Sequence, residues 1–527
     1  MKPHVSLYLI VIGFFMLLIS GTFLSEGISR AGLDTAIVSQ RMADGFEDFW
    51  LPSLQTPGNP DRQNYMPLGY WLESQWFAIF GKSSFMVEKV YSVLTFIVIA
   101  ILMIWCWCLL GNTRRTGWIP LLCWITIPLV SWSATNNLLE STMTIFVLLS
   151  VAFLMKGRNL QFLLTSLQAV GKDVRAGNYR LGRAGWTILA ALMMELAFMV
   201  KGIMGLFPFF FPLMYWFFVR REKVIFPISS MLLILFTWAV TLFVVILSSH
   251  TVYDHIYNYL HHQIIGGVLH VRTVASRFYI IGVLILQMVI PIVILAILSI
   301  IRIKQHPLGR YIFFWRNKSK MTADQKRNAQ MGWFFASVGV AGVLPIMIGL
   351  KQQEFYLVPT LPFFAIAVGC FLLNMVDDWL ERINKVAERV LLALAVLMFG
   401  GGLLLNLNSI HKVNNNHALL EDMTHILPLL EEGETVSVTN ELMQDPVVAE
   451  YFYRYKGILF DTSDHNHNHM LSLYSTVKDP RYELVDVATY NYKLYELTTT
   501  KIDEQETELF DDETLEEHQS DSLSLLY

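Results

Sequence analysis

The chain of 527 residues is 54% hydrophobic, only 16% charged and carries a formal net charge of −4, with a mean hydropathy of +0.46. Soluble domains run near 25% charged, so this composition excludes an ordinary soluble enzyme and points away from a nucleic-acid partner. The charge is also divided: residues 1–407 hold 32 Lys and Arg against 19 Asp and Glu (net +13), whereas residues 408–527 hold 7 against 24 (net −17).

A bilayer core takes about 20 apolar residues of helix. Eleven stretches qualify, at about 5–24, 90–111, 117–134, 138–155, 185–200, 203–219, 225–248, 276–301, 331–350, 356–375 and 387–407. The first, VSLYLIVIGFFMLLISGTFL, spans the bilayer and ends in no small-x-small cleavage site, so it reads as a retained anchor. Orientation follows from the basic residues. One set of inter-helix ends carries 23 Lys and Arg, and the alternate set before residue 408 carries nine. The positive-inside rule makes the first set cytoplasmic. The N-terminus is then inside, and an odd number of crossings places the C-terminal segment outside, in a bacterial periplasm.

The first outer loop, 25–89, holds an acid soon after the first helix, in SRAGLDTAIV. Asp34 can be read as the N-cap of a short helix starting at Thr35, or as a functional carboxylate at the membrane edge; the two are compatible. Two amphipathic pieces follow, AIVSQRMADGF and YWLESQWFAIFG, suited to the membrane interface. The loop aromatics Trp50, Tyr65, Tyr70 and Trp71 suit either stacking on a sugar or an interfacial belt.

Further charged groups gather at the same membrane face. Glu140, in NNLLESTMTIF, either complements a helix N-terminus or acts as a second acid. Lys201, in LAFMVKG, is either a snorkelling anchor or an anion ligand beside a glycine. Lys351, in KQQEFYLVPTLP, carries the same two readings. The segment 249–277 is rich in His and Tyr and adds His255 and Arg272. The four cysteines lie in apolar runs and read as packing residues. HNHNH at 465–469 lacks carboxylates at ligand spacing and reads as a loop.

Beyond residue 408 the pattern changes. ETVSVTN, DPVVAEYFYRYKG and ILFDTSD read as strand, helix and strand, and YELVDVAT and YKLYELTTTK as further strands. The expected organisation is a membrane domain over 1–407, a small extracytoplasmic α/β domain over 408–502 and an acidic disordered tail over 503–527. No nucleotide-binding loop and no internal repeat is present.

In this order and at these depths, five stretches resemble the GT-C class of membrane glycosyltransferases. The nearest branch is that of the protein O-mannosyltransferases and bacterial lipid A aminoarabinose transferases. LDTAIVSQRMADG…DFWLPSL is similar to the family's first outer loop. NYMPLGYWLESQWFAIFG is similar to its Pro-Leu-x-Tyr-Trp segment, and NNLLESTMTIF occupies the place of its second acid, normally Asp. LAFMVKG is similar to its Lys-Gly turn, and KQQEFYLVPTLPFFAIAVG to its Lys- and Tyr-bearing, proline-rich helix.

The resemblance implies a polytopic helical fold of about eleven spans with a small α/β domain. It also implies transfer of a monosaccharide from a polyprenyl phosphate carrier to a lipid, protein or glycan acceptor. Asp34 would then be the catalytic carboxylate and Glu140 the second acid. Lys201, Arg272, Lys351, Tyr65 and Tyr356 would hold the donor phosphate, with Trp50, Tyr70, Trp71 and His255 near sugar or acceptor.

The chain also departs from the pattern. It has Asn64-Tyr65-Met66-Pro67-Leu68 where aminoarabinose transferases have Glu-Lys-Pro-Pro-Leu, and Asp34-Thr35 where an Asp-Glu doublet is common. No cofactor is therefore assigned, and a divalent cation is only a secondary alternative. Two other functions stay open: a ligase or polymerase using diphosphate-linked oligosaccharide, and a secondary transporter, although the latter should show paired repeats.

Overall fold

The computed structural model describes residues 3–52, 66–81, 84–169, 176–219, 224–301, 312, 321–380, 384–410, 412–443, 445–462, 467–473 and 479–498. The chain divides into two compact units between Lys412 and Val413.

The first unit is helical. It runs through α1 (Pro3–Leu18), α2 (Arg30–Ala43), α3 (Leu68–Phe80), α4 (Met86–Leu109), α5 (Trp118–Ile125), α6 (Pro128–Ser133), α7 (Leu139–Ala169) and α8 (Ala176–Lys201). A 3-10 segment, Ile203–Phe210, leads to α9 (Phe211–Phe218), α10 (Ile225–Leu247) and α11 (His250–Asn258). A π-helical stretch, Tyr259–Gly266, continues into α12 (Gly267–Leu269), α13 (Tyr279–Gln287) and α14 (Val289–Ile301). The unit closes with α15 (Ala323–Val343), the 3-10 turn Glu354–Thr360, α16 (Leu361–Leu380) and α17 (Lys385–Leu407).

Among the described residues seven helices are long and apolar enough to cross a membrane, and α13 with α14, bent by 50°, brings the number to eight. The chain is an integral membrane protein. The other three of the eleven expected stretches are helical but short or broken. α1 stops at Leu18. The stretch 117–134 breaks before Pro128, because proline bars its predecessor from helical conformation, and Ile127 duly takes ψ 119. The stretch 203–219 opens as a 3-10 turn around Pro208.

The α13–α14 bend has a similar cause. Pro291 has no N–H to give the Gln287 carbonyl one turn earlier. At the same bend the Gln287 side-chain oxygen accepts a hydrogen bond from the Leu129 N–H at 2.8 Å, one of the donors a helix start leaves unmatched.

Burial separates a spine from a lipid-facing rim. In the span Glu354–Val376, 89% of the apolar window is buried inside the protein, against 11% for Ile225–Leu247 and 17% for Lys385–Leu407. Small residues let the spine approach its neighbour, as membrane helices require. Gly332 and Gly339 of α15 lie flat against the rings of Phe371 and Phe364 of α16.

The second unit is a five-stranded sheet with helices. Helix α18 (His417–Ile426) is followed by β1 (Thr435–Val438), α19 (Asn440–Met443), α20 (Pro446–Lys456), β2 (Leu459–Asp461), β3 (His469–Ser472), β4 (Tyr482–Leu484) and β5 (Lys493–Leu497). The strand order is β2-β1-β3-β5-β4, with β1 parallel to β2 and β3 and the other two pairings antiparallel.

The expected strand–helix–strand and both later strands are present. The strand β3 was not expected: its first residue, His469, is the last of HNHNH, and that histidine pairs with Glu434 at 2.5 Å. Position 465 and the segment 499–527, including the expected tail, lie outside the described residues.

Candidate functional site

The acid that follows the first helix is placed by a helix cap. Ser29 takes extended backbone angles, and its hydroxyl accepts from the Gly32 N–H, so α2 begins at Arg30. Asp34 is therefore one full turn inside α2, not the cap of a helix starting at Thr35. It lies on the same face as Arg30, four residues before it.

The start of α2 is gripped by the turn that leads into α7. The Asn136 side-chain oxygen accepts from the Ser29 N–H at 2.7 Å, and its amide nitrogen donates to the Trp132 carbonyl at 2.8 Å. Gly32 approaches the Asn136 carbonyl so closely that any Cβ there would lie 2.0 Å from its oxygen. Four residues beyond Asn136 comes Glu140, in the first turn of α7.

Glu140 is 1% exposed, and one of its oxygens lies 3.2 Å from the Lys201 ammonium at the end of α8. The pair is within ion-pair distance but not aligned as a hydrogen bond; among the described residues neither Glu140 oxygen receives one. Helix α8 ends here because Gly202 takes φ +82, and a Cβ at that position would collide with the Tyr259 hydroxyl. That hydroxyl in turn accepts from the Ile203 N–H at 3.4 Å. Burial pushes the Tyr259 hydroxyl up to about 12, so it stays a neutral group in this wall.

These elements enclose a cavity of about 520 Å³. Asp34, which is half-buried, faces it together with Arg30, Lys201, Gln263, Lys351 and Tyr356. The Lys351 ammonium donates to the Gln263 side-chain oxygen at 3.3 Å. Burial, and then the nearby charge of Lys201, push Lys351 below the ordinary lysine range. The Lys201 ammonium also stands 5.9 Å from the centre of the Phe355 ring, a cation–π distance. The chemistry in place is one carboxylate, an ion-paired lysine, a second lysine held below its ordinary range, and a neutral tyrosine wall.

Of the residues singled out in the sequence, Asp34, Tyr70, Lys201, Lys351 and Tyr356 line this cavity, and Glu140 reaches it through Lys201. Others lie elsewhere. Arg272 is exposed, and its backbone pairs with Leu350 beside Lys351. His255 is buried at 3% on α11 and lines no part of the cavity. Trp50 packs behind the wall on Met66, Phe198, Met199 and Tyr259. Trp71 is 39% exposed and meets the Phe49 ring edge-on at 6.0 Å. Tyr65 lies outside the described residues.

Sequence reasoning missed Arg30, Tyr259 and Gln263. Arg30 carried a signal, since a cation opening a helix opposes the macrodipole. The other two are brought in by a π-helical stretch, which leaves no clear trace in sequence. Among the described residues no three His, Cys, Asp or Glu side chains gather as a metal ion would need.

The architecture has relatives among solved structures. The structure of ArnT from Cupriavidus metallidurans bound to undecaprenyl phosphate superposes with a TM-score of 0.55 at 16% identity, over 93% of this chain and 97% of that one. ArnT from the same organism in the apo state gives 0.56 at 13% identity, with the same coverage. The archaeal oligosaccharyltransferase AglB from Archaeoglobus fulgidus, in complex with an inhibitory peptide and a dolichol-phosphate, reaches only 0.45 at 12% identity, over 89% of this chain and 69% of its own. No protein-family model and no curated protein matches the sequence.

The fold is thus that of the GT-C membrane glycosyltransferases. Its particular form is a polytopic helical membrane unit followed by a small C-terminal sheet.

Proposed function

We propose that this protein transfers a monosaccharide from a polyprenyl phosphate carrier to an acceptor at the outer face of a bacterial inner membrane. The observation that carries the proposal is the meeting of Asp34, Lys201 and Lys351 in one cavity at the end of a membrane-spanning helix. The presence of undecaprenyl phosphate in the ArnT structure of the same fold supports it. So does the bias of Lys and Arg toward the opposite loops, which favours an outward-facing cavity.

The chemistry follows from the groups present. An acceptor oxygen attacks the anomeric carbon of the sugar while the bond from that carbon to the carrier phosphate oxygen breaks. Asp34 takes the acceptor proton as general base, a role worth about 10²–10⁴-fold. The phosphate leaves with an added negative charge, which Lys201 and Lys351 stabilise in place. Attack opposite the leaving group inverts the anomeric centre. Glu140 orients Lys201 through the ion pair, and Tyr356 and Tyr70 narrow the cavity around the sugar phosphate. The acceptor, whether lipid, protein or glycan, enters from the water side, and the carrier tail stays among the helices. No step needs a cofactor.

The test is sugar release from a panel of polyprenyl phosphate sugars by reconstituted protein, wild type against Asp34→Asn, with and without chelator. Consumption by wild type alone supports the reading, and chelator should leave the rate unchanged. Donor turnover that survives Asp34→Asn would overturn the role of the base. Activity only on diphosphate-linked oligosaccharide would replace the reading with a ligase.

A further inference from the structure

A third acid lies near the cavity, beside Asp34 and Glu140, and the transfer chemistry just described does not use it. Glu73, on α3, is fully buried at 0% exposure. One of its carboxylate oxygens accepts the Ser39 hydroxyl of α2 at 2.9 Å, and the other accepts the Asn137 side-chain amide at 2.6 Å. A carboxylate taken out of water is costly unless such donors meet it. The expense is hard to explain by packing, since an apolar residue would fill α3 more cheaply. What Glu73 joins supplies the explanation.

Ser39 lies on the helix that carries Asp34, five residues further along. Asn137 precedes Glu140 by three residues and is held in left-handed backbone at φ 51, a conformation that few non-glycine residues accept and Asn tolerates. Tyr70, one turn before Glu73 on α3, lines the cavity. A single carboxylate therefore ties together the helix of the base, the turn that delivers the Lys201 partner, and a cavity-wall tyrosine. Asn136 grips the start of α2 from the same turn, so the two contacts hold α2 at its cap, Ser29, and at Ser39 further along.

We propose that Glu73 is a positioning residue for sugar transfer, setting the separation of Asp34 from the Glu140–Lys201 pair through Ser39 and Asn137. The proposal rests on the glycosyl-transfer reading for its catalytic consequence, but not for its structural one. A misplacement of about 1 Å at a reacting group can cost 10²-fold in rate without touching the chemistry directly.

The test uses the full-length protein in detergent or nanodiscs. Glu73→Gln keeps the shape but removes the charge and, whichever way its amide turns, puts a donor where one of the two accepting oxygens stood. The expected result is a fall in kcat of about 10²-fold, with KM for the donor within about threefold and thermal midpoint close to wild type. Combining Glu73→Gln with Asn137→Asp reverses the direction of the hydrogen bond between positions 73 and 137 and should restore most of kcat. Ser39→Ala removes one bond only and should cost about three- to tenfold.

Hydrogen exchange reads the same network without turnover. The amides of α2 and of residues 136–138 should exchange about tenfold faster in Glu73→Gln, with those of α16 unchanged. Unchanged kcat in Glu73→Gln, or loss of kcat and thermal stability together without rescue by the double substitution, overturns the proposal. So does unchanged exchange at α2. Should the wild type consume no donor, the function reading fails, and the exchange result alone decides whether Glu73 orders the two acids.

Discussion

Two deeply buried acids, Asp422 in the C-terminal unit and Glu140 in the membrane unit, are treated in opposite ways. In the C-terminal unit Asp422 of α18 is 0% exposed. Its oxygens accept three successive backbone N–H groups, from Tyr490, Asn491 and Tyr492, at 2.6–2.9 Å. That carboxylate has what it needs and pins the approach to β5. Glu140 in the membrane unit is 1% exposed, yet among the described residues its oxygens receive no hydrogen bond, and one of them lies 3.2 Å from the Lys201 ammonium. An acid fully satisfied by the backbone is a fastener. An acid left with one ionic neighbour at the edge of a cavity keeps electrostatic work in reserve for a ligand.

The comparison can be tested at several strengths. The largest effect belongs to the carboxylate that lines the cavity, Asp34. Asp34→Asn should lower kcat by about 10²-fold or more while leaving the thermal midpoint within a few degrees. A loss of folding instead would make Asp34 a fastener of the Asp422 kind.

Lys201→Met comes next. It strands Glu140 as an uncompensated buried charge, which costs about 3–5 kcal/mol of stability, and it should weaken donor binding by about 10- to 100-fold. Adding Glu140→Gln should recover the stability and not the binding; recovery of both would break the claim that Lys201 serves the ligand. In the other unit, Asp422→Asn should cost about 1–3 kcal/mol in unfolding of that unit and leave donor binding at the cavity unchanged.

A smaller effect is one of pH. Lys351 is held below the ordinary 10.5 by burial and by Lys201. Its folded pKa is lowered, so between that pKa and 10.5 the unfolded chain binds the extra proton, and stability rises with pH across that window. Phosphate binding needs the protonated form, so affinity for polyprenyl phosphate should fall over the same rise in pH. The fall should begin earlier than for an unperturbed lysine, and Lys351→Gln should flatten it, as isothermal titration would show. The smallest effect is expected at Arg272. Exposed and outside the cavity, it should change donor affinity by less than about threefold when made Gln, the size of a surface charge effect. A tenfold loss would return it to the phosphate site.

Much of this was legible in the sequence, and for physical reasons. Membrane helices announce themselves because lipid demands apolar residues along their whole length, so the stretches at 90–111, 225–248 and 387–407 matched their helices within a few residues. Asp34, Lys201 and Lys351 stood out because charge at a membrane edge is rare. Counting spans was harder, since 117–134 and 203–219 are apolar throughout and only their prolines tell that they break. The start of α2 was misjudged because Ser29 and Asp34 are both good caps, and the choice is made by Asn136, 107 positions from Ser29. Strand β3 was hidden by a histidine repeat whose last member pairs with Glu434, at a distance no local pattern encodes. Gln263 and Tyr259 reach the cavity only because the backbone widens into a π turn.

The contact between Gly202 and Tyr259 bears on how such a protein can change over generations. A side chain at 202 has no room while a tyrosine stands at 259, and the left-handed backbone there resists one in any case. A smaller residue at 259 alone would leave the Ile203 N–H without its acceptor and open a void in the cavity wall. Each replacement made alone carries a cost that the other partner sets. Changes in cavity shape are then more readily made around it, at lining positions such as Gln263 and Tyr356 that do not touch this pair's close contact.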